Sequence, residues 1–329
     1  MIYVPVMSLD VYHNFGLEYY LMTEHHFNEP VFMLWSTTPT VMLGKYQDAA
    51  AELNVEAVKR NHVKVARRYS GGGTIYTDQG GCQFTLIYPD DRTEIDFSSG
   101  LELIQKALNQ IGIKATTDSR NDLVVGGRKV SGSAQYVTSG YKLHHGSLLF
   151  ESNLDLMNQL LNVDPVKLAA KRIASVHQRT VNLNEQEPSW TAADFRENLR
   201  QAVYDLTSFQ EYHLTADEQA RVAEIGQQRF ADPKFIYGRQ GQGAFQVKRY
   251  FQGGGLVKIA YSIYHDQLAD VHLTGDFFSN LDAVKFEHAL DGTDYDRRRV
   301  SNVIRDQLAE DPILGVDADQ LVNMLFDHV

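Results

Sequence analysis

Apolar positions fall into two kinds of pattern along the chain. Short runs rich in β-branched and aromatic residues read as strands, and longer segments with apolar residues every three or four positions read as helices. Ile2 to Val6 predicts a first strand, and Asn14 to His26, with Phe15, Tyr19 and Met22 at helical spacing, predicts a helix. Val31 to Trp35 and Thr40 to Leu43 are strand-like and are split by the turn residues Thr37, Thr38 and Pro39. Asn54 is the expected N-cap of a helix from Val55 to Asn61. Val63 to Ala66 and Gln83 to Ile87 are two further strands, and Ser98 or Ser99 would cap a helix from Leu101 to Ile111 that Gly112 ends.

Beyond these, Leu123 to Val125 and Lys129 to Val137 read as a hairpin closed by Gly126 and Gly127. Tyr141 to Phe150 is a third strand, followed by short helices at Leu154 to Leu161 and Pro165 to Ala170 and by longer ones over 191–206 and 215–229. The polar segment Ala231 to Gly243 holds one Pro and three Gly, which marks a boundary between domains 1–243 and 244–329. The second domain opens with strands Phe245 to Phe251 and Leu256 to Tyr264 around Gly253, Gly254 and Gly255, a triplet that reads as a plain turn. A strand over 268–274 and helices near 280–290, 295–308 and 317–327 complete it. Strands come in groups before helices instead of alternating with them, which predicts a mixed α+β fold and not a doubly wound parallel sheet.

A length of 329 residues has room for one large and one small domain, and 43% hydrophobic residues suffice for a core. With Cys82 as the one cysteine, no intramolecular disulfide can form. The start, Met1-Ile2-Tyr3-Val4-Pro5, lacks a basic and apolar leader pattern, so a cytoplasmic monomer with no membrane association is expected. Residues 251–329 hold 6 Lys and Arg against 14 Asp and Glu, and so carry most of the net charge of −11. That balance argues against a nucleic-acid partner. The Gly-rich joint predicts relative motion of the two domains, which would close a site against water.

The densest chemistry lies between the strands around Val65 and Phe84: Arg67-Arg68-Tyr69-Ser70-Gly71-Gly72-Gly73-Thr74-Ile75-Tyr76-Thr77-Asp78. Three glycines let backbone approach a ligand without a Cβ in the way, and successive N–H groups can form an anion-binding concavity. Two arginines at its entrance supply planar donors for carboxylate or phosphate. Gly-Gly-Gly alone is equally an ordinary hairpin with solvated arginines; Arg-Arg-x-Ser-Gly-Gly-Gly is much more specific.

That motif resembles the signature of the lipoate–protein ligases, whose fold is related to that of biotin–protein ligases. Further motifs follow in the family's order. Ser119-Arg120-Asn121-Asp122-Leu123 is similar to its Gly-Arg-Asn-Asp-Leu, and Arg128-Lys129-Val130-Ser131-Gly132-Ser133-Ala134 to its catalytic-lysine block. His144-His145-Gly146-Ser147-Leu148-Leu149 matches its His-His-Gly strand, Lys171 to Leu183 resembles the loop over the adenylate, and Asn14-Phe15-Gly16-Leu17-Glu18 resembles its Asn-Leu-Ala-x-Glu helix. The resemblance implies a large mixed-sheet catalytic domain with a small α+β accessory domain. It implies a reaction in which lipoate and ATP, with Mg²⁺, give lipoyl-AMP, from which the acyl group passes to a lysine of a lipoyl domain or of a glycine-cleavage H-type protein.

Lys129 is the expected catalytic residue. A lone strand lysine is by default solvated, but beside two glycines and within this motif it can reach the reacting oxygens and offset their charge. Asp122 is the expected Mg²⁺ contact, with turn chemistry in Asn-Asp as the bland alternative. The resemblance assigns ATP and lipoyl-adenylate binding to Arg68, Ser70, Gly71, Gly72, Gly73, Ile75, Thr77, Asn121, Asp122, Lys129, His145, Lys171 and Ser175. For His145 a satisfied core histidine is the competing reading.

The chain departs from the family where it has Thr77-Asp78 for His-Asp, Gly80-Gly81 for Gly-Asn, and Arg172 for a glycine in the adenylate loop. A lipoyl or octanoyl amidotransferase of the same fold is the nearest rival, but it needs a thioester-forming cysteine and Cys82 is the sole candidate. A biotin ligase would show a Gly-Arg-Gly-Arg-type loop, which is absent from the sequence. A non-catalytic lipoate binder draws support only from the departures at Thr77 and Gly81, and Lys129 argues against it. Basic residues around Arg67 and Lys171 would suit an acidic acceptor.

Overall fold

The computed structural model describes residues 1–90, 92, 94–118, 121–162, 164–166, 169 and 180–327. Its strands in chain order are β1 (Ile2–Tyr3), β2 (Val31–Trp35), β3 (Thr40–Leu43), β4 (Lys64–Arg67), β5 (Ile75–Thr77), β6 (Gly81–Pro89) and β7 (Thr116–Asp118). They continue with β8 (Asp122–Val125), β9 (Arg128–Thr138), β10 (Tyr141–Leu149), β11 (Gln210–Glu211), β12 (Phe245–Phe251), β13 (Gly255–Tyr264) and β14 (Gln267–Gly275). Among the described residues they form an eight-stranded mixed sheet in the order β11-β1-β2-β6-β10-β9-β8-β7, and two three-stranded sheets, β4-β3-β5 and β12-β13-β14. The fold is α+β, as the order of elements predicts.

Side-chain alternation gives the large sheet two apolar faces. On one, Phe32, Leu34, Cys82, Phe84, Leu86 and Leu148 pack with Leu101, Ile104 and Leu108 of the helix Ser98–Gln110 and with Phe195, Leu199 and Val203 of the helix Ala192–Thr207. On the other, Met33, Trp35, Ile87 and Leu143 pack with Phe15 of the helix Val11–Tyr20 and with Val222 and Ile225 of the helix Ala216–Ile225. Those two helices cross closely because a Cβ on Gly16 would stand 2.5 Å from the Val222 carbonyl oxygen.

Several elements differ from the sequence expectation. The first strand stops at Tyr3, because beyond Val4, which still donates to the Phe32 carbonyl, Pro5 has no N–H to continue the ladder. The first helix starts earlier, capped by Asp10, and widens into a π turn over Leu21–His25. Neither Ser98 nor Ser99 is a cap: Ser98 is the first helical residue, and Asp96 accepts from its N–H at 2.9 Å. The expected helix Pro165 to Ala170 lies largely outside the described residues. The polar segment 231–243 contains the helix Pro233–Tyr237, with Asp232 as cap and Pro233 at its first position.

The second body comprises β12 to β14 with the helices Ala283–Leu290, Arg297–Glu310 and Ala318–Phe326, and it packs on the first. Tyr46 of the first body belongs to the second body's core, where its ring stacks on Phe277 at 4.3 Å. Its hydroxyl lies 2.9 and 2.8 Å from the carbonyl oxygens of Ser279 and Leu281. Lys45 Nζ donates to the carbonyls of Asn280 and Leu281, and burial pushes its pKa down to about 8. Truncating a buried aromatic of this size costs about 3–5 kcal/mol. Tyr46→Ala is therefore expected to lower stability by about that much and to speed proteolysis within 238–243. An unchanged urea midpoint with unchanged cleavage would mean that the docking does not depend on Tyr46.

Candidate active site

A cavity of about 1050 Å³ lies on the face of the large sheet that carries Trp35 and Phe15, and it is walled by both bodies. Its floor is a row of directly opposed positions, Trp35 on β2, Gln83 on β6, Ser147 on β10 and Gly132 on β9, all of them lining residues. Met42 and Ile75 of the small sheet pack with Phe15 and Trp35 in one apolar cluster and form an apolar end; Asn121, Asp122 and Lys129 form a charged one.

Lys129 Nζ lies 2.7 Å from Asp122 Oδ1, with the carboxylate buried and the ammonium about a quarter exposed. A Cβ on Gly132 would stand 2.8 Å from that nitrogen, so the glycine leaves the space in which the lysine crosses the strand. Asn121 is fastened beside them by a bond from its Nδ2 to the Ser133 carbonyl at 2.9 Å. Among the described residues no three His, Cys, Asp or Glu side chains are grouped so as to hold a metal ion.

Both arginines of the Gly-rich stretch are buried, which corrects the expectation of donors held out to a ligand or an acidic partner. Arg67 donates to the carbonyls of Gly44, Gln47 and Ile236 at 2.7 to 2.9 Å and does not line the cavity. Arg68 does line it, but its guanidinium is spent on the carbonyls of Met42, Gly71 and Gly73. Burial lowers the pKa of each to about 10.

The glycines themselves serve more than one purpose. Gly72, at φ +89°, and Gly73 line the cavity, yet Gly72 N–H donates to the Phe277 carbonyl and a Cβ on Gly71 would come within 2.4 Å of the same oxygen. The triplet thus seats the second body. The second triplet, expected to be a plain turn, also reaches the cavity through Gly253 and Gly255, next to Asp276. No local signal in the sequence marks that contribution, since it arises from the docking of the two bodies.

A buried polar chain runs beside the floor. Trp35 Nε1 donates to Thr85 Oγ1 at 2.9 Å, and Thr85 donates to Glu18 Oε1 at 2.6 Å. His145 Nδ1 is 3.2 Å from both Glu18 oxygens, and its Nε2 is 2.7 Å from Ser70 Oγ. In the tautomer with Nδ1–H donating to the carboxylate, Nε2 accepts from the Ser70 hydroxyl, which in turn accepts from Arg68 Nε at 3.3 Å. His145 is therefore both a cavity-lining residue and a satisfied histidine. Ser70 holds the cavity wall through it.

Thr77 does not line the cavity; its Oγ1 is 2.7 Å from Thr37 Oγ1 in the core. Lys171 and Ser175 lie outside the described residues, although Thr180 at the end of their loop lines the cavity. Cys82 is fully buried on the opposite face of the sheet, and burial raises its thiol to about 12, far from a reactive thiolate.

Strand alternation also sends the neighbouring His144 to that opposite face, where its ring lies 5.7 Å from those of Phe84 and Phe97. Burial lowers its pKa to about 3. The unfolded imidazole takes up its proton near pH 6.5, so between pH 6.5 and 3 the folded state binds fewer protons than the unfolded state. The stability of burying the neutral ring is present above that window and is lost as the pH falls through it. A His144→Phe variant should lose about 2–3 kcal/mol less stability than the parent between pH 7 and pH 4. Equal acid slopes in denaturation would remove His144 from that role.

The family description "Lipoyl protein ligase A/B catalytic domain" matches residues 10–204, and "Bacterial lipoate protein ligase C-terminus" matches residues 243–325. Lipoate-protein ligase LplJ of Bacillus subtilis is 31% identical over 297 residues, covering 88% of this chain and 89% of its own. The crystal structure of P. falciparum LipL1 in complex with lipoate superposes with a TM-score of 0.78 at 22% identity, over 100% of this chain and 99% of the other. A crystal structure of lipoate-protein ligase A bound with ATP gives a TM-score of 0.60 at 20% identity, over 72% of this chain and 96% of the other. Catalytic and accessory portions are thus both matched, in one order and on one fold, and the chain belongs to the lipoate–protein ligase family.

Proposed function

We propose that this protein activates lipoate with ATP and passes the lipoyl group to a lysine of a lipoyl domain or of a glycine-cleavage H-type protein. A free carboxylate does not acylate an amine at neutral pH, so the acyl carbon must first acquire a leaving group. In the first step a lipoate oxygen bonds to the α-phosphorus of ATP and pyrophosphate departs. In the second, the acceptor amine bonds to the acyl carbon of lipoyl-AMP, AMP departs, and the amine's proton goes to solvent. Solved relatives bound to lipoate and to ATP share the fold, which supports this pairing of substrates.

Lys129 carries the reading. Its ammonium stands at the charged end of a cavity whose other end is apolar, the polarity that a carboxylate on a hydrocarbon tail requires. A fixed cation there offsets the charge that accumulates as carboxylate and phosphate meet. Asp122 keeps the ammonium in place and is the carboxylate on that wall nearest to it. One carboxylate fits a Mg²⁺ ion, which takes its remaining oxygens from phosphate and water and, when bound, neutralises phosphate charge. In this reading the adenylate is also held by Asn121, Ile75 and the backbone of Gly71 to Gly73, with Arg68, Ser70 and His145 fixing that backbone. Lys171 and Ser175 join through sequence likeness alone. We place the division between catalytic and accessory domains at residues 243 and 244.

Lys129→Ala is expected to reduce lipoate-dependent exchange between pyrophosphate and ATP at least a hundredfold. Exchange near the parent rate would sink the assignment. Cys82→Ala should retain lipoylation of an acceptor domain within a few fold, because the thiol is buried away from the cavity. An acyl adduct on Cys82, with activity lost in the variant, would move the chain to the amidotransferases.

A further inference from the structure

Gln83 stands in the middle of the cavity floor, and neither its side chain nor its position belongs to any of the family motifs described above. It is 4% exposed, and its Oε1 has no hydrogen-bond partner among the described residues. A buried amide with an unpaired polar end is costly, and because a half-turn exchanges its oxygen and nitrogen, such a group in a cavity wall points to a ligand that pairs with one end of it. Two other unpaired oxygens belong to residues that also line the cavity, Ser131 and Ser133, but strand alternation turns their hydroxyls away from the row that holds Gln83. Ser133 lies opposite Gly146 and on the side of Phe84, since a Cβ on Gly146 would meet both Phe84 Cζ and Ser133 Oγ. Ser131, two residues away on the same strand and opposite Leu148, follows it. Gln83 is directly opposite Ser147, and Ser147 is directly opposite Gly132, over which Lys129 Nζ lies. The amide and the ammonium therefore face the cavity from the same row, in which the backbones of Gln83 and Gly132 are two strand spacings, about 10 Å, apart.

We infer that the Gln83 amide is a further substrate-binding group, holding the oxygens of the acyl–phosphate linkage from the side opposite Lys129; the inference rests on the functional reading above. A row of that spacing takes one such linkage with a hydrogen bond on each flank. Trp35, the next residue in the row, then meets the start of the apolar tail. A carboxamide carries donor and acceptor on one carbon, so a half-turn of its last torsion presents Nε2–H to an anionic oxygen. It adds a neutral donor to the cation without adding charge, and both act where negative charge accumulates.

The test compares the full-length parent with Gln83→Leu, which keeps the volume and removes both polar atoms, and with Gln83→Glu, which keeps the shape and adds a negative charge. Two readouts are needed: lipoate-dependent pyrophosphate exchange, and calorimetric binding of a non-hydrolysable lipoyl-sulfamoyl adenosine. Gln83→Leu should slow exchange and weaken the analogue by about ten- to a hundredfold, with an unchanged or higher melting temperature because an unpaired oxygen has been removed. Gln83→Glu should lose at least ten times more than Gln83→Leu on both readouts. Exchange and binding within twofold of the parent in Gln83→Leu would overturn the inference. So would a Gln83→Glu no worse than Gln83→Leu, since the group that the amide faces would then not be anionic. A parent chain that binds neither lipoate nor the analogue would instead overturn the functional reading, and this inference with it.

Discussion

The site depends on two buried guanidinium groups whose donors go mainly to backbone carbonyls. Arg67 and Arg68 are adjacent in sequence, so strand geometry turns them to opposite sides, and each gathers carbonyl oxygens from segments with no other means of meeting. Arg67 ties the turn after β3 to the helix Pro233–Tyr237, and Arg68 ties β3 to the Gly-rich turn. Burying a cation is costly unless its donors are paired, and here carbonyl oxygens pair most of them, although Arg67 Nη2 has no partner among the described residues. The consequence is a glycine-rich turn that has the openness of a loop and the positional precision of a core. A lysine in either place would offer a single point charge and could not bridge the same set of oxygens.

From that anchor the polar chain continues through Ser70 and His145 to Glu18, Thr85 and Trp35. It links the helix Val11–Tyr20, three strands of the large sheet and the turn in one set of directed contacts. Apolar packing positions these elements to within a side chain's width. The hydrogen bonds fix the remaining freedom, and they do so beside the cavity where placement matters most.

Much of this was legible in the sequence, and the reasons for the gaps are physical. The central strands and the hairpin at Gly126 and Gly127 appear as read, because alternation and turn chemistry are local. The charged end of the cavity was also legible, since Lys129 and Asp122 belong to one hairpin. Short edge strands such as β7 and β11 carry no periodicity to detect. The carbonyl partners of the arginines, the docking role of the first glycine triplet and the cavity contact of the second are not legible for a different reason. Their partners are backbone atoms distant in the chain, and a backbone carbonyl has no letter in a sequence. Gln83 was read only as the first residue of a strand; its importance comes from the register with β10 and β9, which one strand's pattern cannot supply.

The paired histidines on β10 show what register means here. His144 and His145 are chemically identical, yet one is a core residue that must stay neutral and the other is part of the cavity wall. A slip of one position would exchange them while leaving composition, hydropathy and the local motif unchanged. What forbids the slip is the absent side chain next door: Phe84 occupies the place where a Cβ on Gly146 would be, 2.4 Å from its ring. The glycine acts as a keyway. Directed evolution at this strand would therefore be expected to accept new residues at either histidine sooner than any side chain at Gly146.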